Sequence, residues 1–231
     1  MPEVIIPGPA GRLEGRYRPG RDDKAPLAMI LHPHPNGGGH MNTELTLSLF
    51  DMFKDRGFAV LRFNFRGVGR SQGSWDQGLG ELSDAATALD WFQALNPQAP
   101  FSWVAGHSFG AYIAMQLLMR RPEIEGFIAV APPTNMYDFS FLAPCPSSGL
   151  ILSGTDDKIV PLDDVERVVP KIRVQKGRVI THDTVEGAGH FFQSKAGAML
   201  DKSNAYLNTR LSKEWGGDLE PEEPVTTDEE E

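Results

Sequence analysis

The stretch Ser102–Arg120, SWVAGHSFGAYIAMQLLMR, constrains the fold of this chain more than any other. A short apolar run leads into Gly106-His107-Ser108-Phe109-Gly110. An almost wholly apolar segment follows, long enough for about four turns of helix. The pattern predicts a buried strand, a sharp turn and a buried helix, with a serine at the turn. A serine at such a tip takes a strained backbone conformation, and side chains two positions to either side would collide, hence Gly106 and Gly110. The turn lifts the Ser108 hydroxyl above the sheet. It also sets the Phe109 N–H at the start of the helix, where it can donate to a developing negative charge.

The other segments alternate between strand and helix patterns. Val4–Ile6 and Leu13–Tyr17 predict a short antiparallel hairpin turned by Pro7-Gly8-Pro9 and Gly11. Leu27–Leu31 is a continuous apolar run, the mark of a strand covered on both faces. A helix is expected from Asn42 to about Arg56, with Leu45, Leu49, Met52 and Phe53 on one face and Gly57 as its stop. A strand over Phe58–Phe65 follows, and then a helix through Leu82, Ala85, Leu89 and Phe92 that ends before Pro97. Further strands are expected at Phe127–Val130, Leu150–Leu152 and Val179–Val185, a short helix near Leu162 or Asp163, and a last helix from about Phe191 to Arg210. Such alternation predicts an α/β fold: a mostly parallel sheet with helices on both faces and an antiparallel N-terminal hairpin. Working residues should then lie just past the carboxyl ends of strands.

Composition narrows the class. A chain of 231 residues with 40% hydrophobic content can bury one two-sided sheet. The single cysteine, Cys145, cannot pair internally, which suits a reducing compartment; it lies between two prolines with no basic neighbours and reads as structural. The first fifteen residues carry only a three-residue apolar run, too short for a signal peptide, and no apolar stretch of about 18 residues is present to span a membrane. The expected location is the cytoplasm. The net charge of −9 is concentrated from Ser212 onward, where nine acids face Lys213 alone. The expected division is therefore one domain over residues 1–211 and an acidic, disordered tail over 212–231. The nearly neutral body gives no electrostatic case for nucleic acid.

A serine hydroxyl needs a base within hydrogen-bond reach, and the base needs an acid to fix its tautomer. Downstream of Ser108, the loop after the 150–152 strand reads Gly154-Thr155-Asp156-Asp157-Lys158-Ile159-Val160-Pro161. The loop after the 179–185 strand reads Glu186-Gly187-Ala188-Gly189-His190-Phe191. Both lie at strand carboxyl ends, in the chain order Ser, Asp, His.

On these motifs the sequence resembles the α/β-hydrolase superfamily over residues 3–211. It is most similar to small, cap-poor bacterial hydrolases related to dienelactone hydrolases and bacterial esterases, with an HPHP-type oxyanion loop. The resemblance implies Ser108 as nucleophile, His190 as base and Asp157 as acid, from a Gly-x-x-Asp-x-x-Val-Pro segment; Asp156 remains the alternative acid. It implies the N–H groups of Phe109 and His34 as oxyanion donors. Pro33 and Pro35, which have no N–H, hold His34 between them. The activity implied is cleavage of small or medium acyl esters, with thioester or lactone as variants, through an acyl-enzyme and without a cofactor. Only about 20 residues join the strands near Val130 and Leu150, so no large cap is expected; Pro132-Pro133 and Tyr137–Leu142 are expected to form an aromatic lip.

Rival readings attach to some of the same residues. His32, His34 and His40 cluster in a way that suits a metal, yet no acid or cysteine accompanies them, and a loop-shaping role is expected. Gly37-Gly38-Gly39 before a helix suggests a phosphate cradle, but the Gly-Lys-Ser/Thr ending is absent. Gly67-Val68-Gly69 hints at a dinucleotide fingerprint whose third glycine is misplaced, and reads as structural. His182 is expected to find a partner within its strand, and His107 to line the elbow. Phe191, Phe192, Met115, Leu117 and Leu118 read as core. A non-catalytic ligand-binding or interaction protein on the same scaffold, or an acyltransferase, are the alternative functions. The sequence does not fix the oligomeric state.

Overall fold

The computed structural model describes residues 3–172 and 177–215. Eight strands form one sheet in the order β1-β2-β4-β3-β5-β6-β7-β8. The hairpin β1 (Glu3–Gly8) and β2 (Gly11–Arg18) is antiparallel and joins β4 (Ala59–Phe63) antiparallel. From β3 (Leu27–Leu31) onward every pairing is parallel, through β5 (Ser102–His107), β6 (Ile124–Val130), β7 (Ser148–Gly154) and β8 (Ile180–Val185).

Two apolar layers hold helices to the two faces. Along β3 the side chains alternate: Leu27, Met29 and Leu31 enter one cluster, Ala28 and Ile30 the other. The first cluster takes the buried faces of α2 (Leu79–Leu95), α3 (Phe109–Leu118) and α4 (Leu162–Ile172). The second takes α1 (Glu44–Lys54) and α5 (Ala196–Trp215), whose Met199, Leu207 and Leu211 are buried. The stripe expected on α1 is the one it buries, and Gly57 beyond its end has φ +79.

Several boundaries differ from the sequence expectation. β6 starts at Ile124 and β7 at Ser148, because glycines that interrupt the apolar pattern make room for large rings. A Cβ on Gly126 would lie 2.6 Å from the Trp103 ring, and one on Gly149 would lie 2.1 Å from that of Phe127. α2 begins at Leu79, ahead of the apolar spacing that starts at Leu82, where the buried carboxylate of Glu81 accepts the N–H groups of Asp76 and Gly78 before the helix. α5 begins at Ala196, not Phe191, since residues 191–195 form turns with Phe192 and Ser194 at positive φ. It runs to Trp215, past the expected domain boundary, while residues 216–231 of the expected acidic tail lie outside the described residues. The β6–β7 connection, residues 131–147, holds only a short 3₁₀ turn at Ser140–Leu142, so no large cap covers the carboxyl edge. No helix among the described residues is long and apolar enough to cross a membrane.

Candidate active site

β5 delivers its carboxyl end directly into α3, with Ser108 between them at φ 54, ψ −120. Few side chains adopt this conformation, and the surroundings hold it. The Ser108 N–H donates to Val130 O at 2.8 Å, and its carbonyl accepts from the N–H groups of Ala111 and Tyr112. The two glycines are needed for different contacts. A Cβ on Gly106 would lie 2.4 Å from the Gly110 carbonyl carbon, within the turn itself. One on Gly110 would lie 2.2 Å from Leu31 O, at the end of neighbouring β3.

The loops after β7 and β8 meet above this turn. A Cβ on Gly154 would lie 2.1 Å from Ala188 O, so the backbones are in direct contact; Asp156 N–H donates to the same carbonyl, and Gly187 N–H to Thr155 Oγ1. This zipper brings together His190, 6% exposed, and Asp157, also 6% exposed. His190 Nδ1 lies 2.8 Å from Asp157 Oδ2, and its Nε2 lies 2.9 Å from Ser108 Oγ. A carboxylate only accepts, so Nδ1 carries the proton and Nε2 is the acceptor for the serine hydroxyl. Burial pushes the Asp157 carboxyl up. The opposing donations from His190 and from the N–H groups of Val160 and Ile159 outweigh it and hold the group below the usual carboxylate range. Asp156 is exposed, with its side chain away from His190's hydrogen bonds, so of the two candidate acids the structure pairs Asp157 with the imidazole.

Two further histidines are buried and neutral. His107 Nε2–H donates to the backbone carbonyl of His190 at 2.9 Å, tying the elbow to the loop that carries His190. Burial first, then the neighbouring His190, lowers its pKa to about 4. His32 bridges strand ends: Nε2 accepts the Phe65 N–H at 3.0 Å, leaving Nδ1–H to donate to Pro33 O at 2.7 Å. Its burial pushes it down to about 3. His32 thereby fixes the peptide that precedes His34.

Residues 34–39 fold back on themselves. The N–H groups of Gly37 and Gly39 donate to His34 O, and that of Gly38 donates to Pro35 O. These donors are spent inside the loop, so the phosphate-cradle reading of the three glycines fails. His34 Nδ1 accepts from Asn36 N–H, and His40 Nδ1 accepts from Asn42 N–H. The three histidines thus serve separate hydrogen bonds, and no three potential ligands converge among the described residues. The His34 ring packs on Trp75 and Phe109, centroids 4.5 and 5.2 Å away. Phe109 opens α3, so its N–H has no partner within the helix.

Ser108, His34, Phe109 and His190 line one cleft of about 540 Å³. Of the expected lip only Pro133 and Tyr137, with Met136, reach it; Phe139 and Leu142 are buried in the core instead. Phe191, read as core, is instead 49% exposed at the cleft mouth, because the turn after His190 sends Phe192 inward in its place. Phe192, Met115, Leu117 and Leu118 are buried as expected, and His182 Nε2 meets Ser153 Oγ at 3.1 Å.

The supports behind the site were less visible in sequence. Asn64 accepts the Met41 N–H and donates to buried Glu14, which also accepts from Arg70 N–H. Gly67 and Gly69, both at positive φ, shape that turn, and Arg66 makes a two-pronged pair with wholly buried Asp84 on α2. An arginine before Gly-x-Gly-x-Ser was the available signal for that anchor. Nothing local marked Glu14 or Asp84 as buried partners.

A family model described as the alpha/beta hydrolase fold matches residues 28–148. ATU1826 of Agrobacterium tumefaciens, an alpha/beta hydrolase by its description and of unknown function, is 59% identical. It covers 96% of this chain and 100% of its own, with a TM-score of 0.89. RP471 of Rickettsia prowazekii is 48% identical over 213 residues, 90% of each chain. XC6422 of Xanthomonas campestris, described as a serine hydrolase without a lid, is 28% identical over 90% of this chain and 94% of its own, with a TM-score of 0.82.

Proposed function

The chain belongs to the alpha/beta hydrolase family, and from that premise we propose that it is a serine hydrolase cleaving small or medium acyl esters through an acyl-enzyme. The observation that carries this reading is the unbroken hydrogen-bonded chain Ser108 Oγ, His190, Asp157, with links of 2.9 and 2.8 Å. Those are the distances at which an imidazole can take a hydroxyl proton as the oxygen attacks.

In the proposed reaction His190 Nε2 takes the Ser108 proton while Oγ adds to the ester carbonyl. Asp157 holds the tautomer and stabilises the imidazolium. The N–H groups of Phe109 and His34 receive the oxyanion; the hydrogen-bonded ring of residues 34–39 and the His32 bridge fix the second donor in advance. The imidazolium then protonates the departing alcohol, and water, activated by the same histidine, releases the acid. The serine-hydrolase description of XC6422 supports the nucleophile assignment. The short β6–β7 connection supports an open site for a small or medium acyl group over a polymer. A non-catalytic role would leave the strained serine and its buried partners without a purpose.

Pre-steady-state kinetics with 4-nitrophenyl esters from acetyl to decanoyl tests the proposal. The expected result is a nitrophenolate burst with a matching acyl mass on the intact protein, both lost in Ser108→Ala. Absence of any Ser108-dependent nitrophenolate release across the series, in burst or steady state, together with no adduct, overturns it.

A further inference from the structure

The walls of the cleft differ in chemistry, and the difference bears on the substrate's charge. On one side stand Met136, Ile159 and Phe191, exposed by 56%, 40% and 49%, three large apolar side chains gathered at one mouth. On the other side lie the 34–39 loop and the start of α1, with Asn36, Thr43 and Glu44 beside one buried apolar residue, Leu45. Glu44 is exposed, and it is the only acidic side chain lining the cleft; no lysine or arginine lines it among the described residues. Two of the imidazoles beside it, His107 and His34, do not offset that charge. His107 is held neutral, and burial lowers His34 as well, against a smaller pull upward from Glu81.

The first turn of α1 would by itself favour an anion. Thr43, at its cap position, makes no side-chain bond to the free N–H groups, so the partial positive charge of that helix end stays uncapped beside the cleft that Thr43, Glu44 and Leu45 line. Glu44, the first helical residue, sets a full negative charge on that end. One residue thus reverses the sign of the polar wall.

Resting on the ester-hydrolase reading, we propose that this cleft selects substrates by charge. It takes acyl esters whose alcohol part is neutral or cationic, disfavours those bearing phosphate or carboxylate, and uses Glu44 as the specificity-determining residue. The apolar wall receives the acyl chain, and the alcohol lies along the 34–39 loop and α1. Coenzyme A thioesters, with several phosphate charges, fall in the disfavoured class. Two like charges about 7 Å apart across a wet mouth, with an effective dielectric between about 20 and 80, change affinity by about 3- to 50-fold. The effect weakens as salt is added.

The test is calorimetric binding to Ser108→Ala protein, where no turnover intervenes. Three octanoyl esters are compared: octanoylcholine, 1-octanoylglycerol and 1-octanoylglycerol 3-phosphate. At low ionic strength the choline and glycerol esters are expected to bind at least about 5-fold more tightly than the phosphate ester, with the gap narrowing in salt. Glu44→Gln in the same background narrows the gap by about 3-fold or more, and Glu44→Lys inverts it; the exposed position keeps both variants folded. Equal or tighter binding of the phosphate ester, a gap untouched by both substitutions, or no binding of any ester overturns the proposal. Burst kinetics on wild-type protein report separately on the hydrolase reading. A charge order that persists without any Ser108-dependent ester turnover sinks that reading alone, and turnover without a charge order sinks this one alone.

Discussion

The floor and the mouth of the cleft are built on opposite principles. At the floor, Ser108, His190, Asp157, His107 and His32 are each at most 9% exposed, and each is tied by hydrogen bonds: Ser108 N–H to Val130 O, His32 to Phe65 N–H, His107 to His190 O, and Asp157 to His190 and to the N–H groups of its own loop. At the mouth, Met136, Ile159, Phe191 and Glu44 project into solvent from four separate segments. The floor is over-determined, so a small change there should be felt everywhere. The mouth is loosely determined, so changes should alter what binds while leaving the chemistry in place.

The largest effect is expected at the floor itself. Ser108→Ala should lower kcat for any ester that is turned over by at least about 10⁴-fold, measured with the 4-nitrophenyl series. Gly110→Ala should come next, because its Cβ would enter the β3 backbone. A loss of about 3 kcal/mol or more in urea unfolding is expected, together with loss of activity. Gly189→Ala sharpens the contrast, since its Cβ would meet nothing within 4 Å; its stability should stay within about 0.5 kcal/mol of the parent.

Acid sensitivity comes third. The folded-state pKa values of His32 and His107, about 3 and about 4, lie below the ordinary value of 6.5, so over that interval the unfolded chain binds more protons. Stability should be full above about pH 6.5 and fall below it by up to about 1.4 kcal/mol per pH unit for each histidine. Asp157, held low, should withdraw its contribution only below about pH 3.9. Urea midpoints from pH 7.5 to 5 check this, and His107→Gln should flatten the slope by its share.

The His107 hydrogen bond gives a smaller effect on rate. His107→Phe removes the donor to His190 O and should cost about 10-fold in kcat. His107→Gln, whose amide can occupy the Nε2 position, should recover most of it. The smallest effect is expected at the mouth. Phe191→Ala should raise KM for decanoyl esters by about 3- to 10-fold, from lost apolar contact, with little change in kcat.

The same division explains what could be read from the sequence. The elbow is a backbone problem, and Gly106, Ser108 and Gly110 are its direct solution, so strand, turn and helix are visible in five residues. The runs Leu27–Leu31 and Leu45–Phe53 likewise state their burial through periodicity. Phe191 and Phe192 show the limit: adjacent and identical, they take opposite fates because a positive φ at Phe192 turns one inward and leaves the other at the mouth. The apolar runs at Phe127–Val130 and Leu150–Leu152 stop short of Gly126 and Gly149, which belong to the strands because the rings of Trp103 and Phe127 need their space. Glu14 and Asp84 look like surface acids, yet each is buried by partners distant in sequence. What depends on local backbone and period was legible; what depends on which distant side chain arrives was not.

The most direct test of the account is labelling with a fluorophosphonate, which reacts only with a serine whose oxygen has been activated. Intact-mass and peptide analysis should find one adduct, on Ser108, that disappears in Ser108→Ala and is strongly slowed in His190→Ala. A folded protein that takes up no label, or takes it up at another serine, would contradict the claim that the buried floor of this cleft is an activated nucleophile.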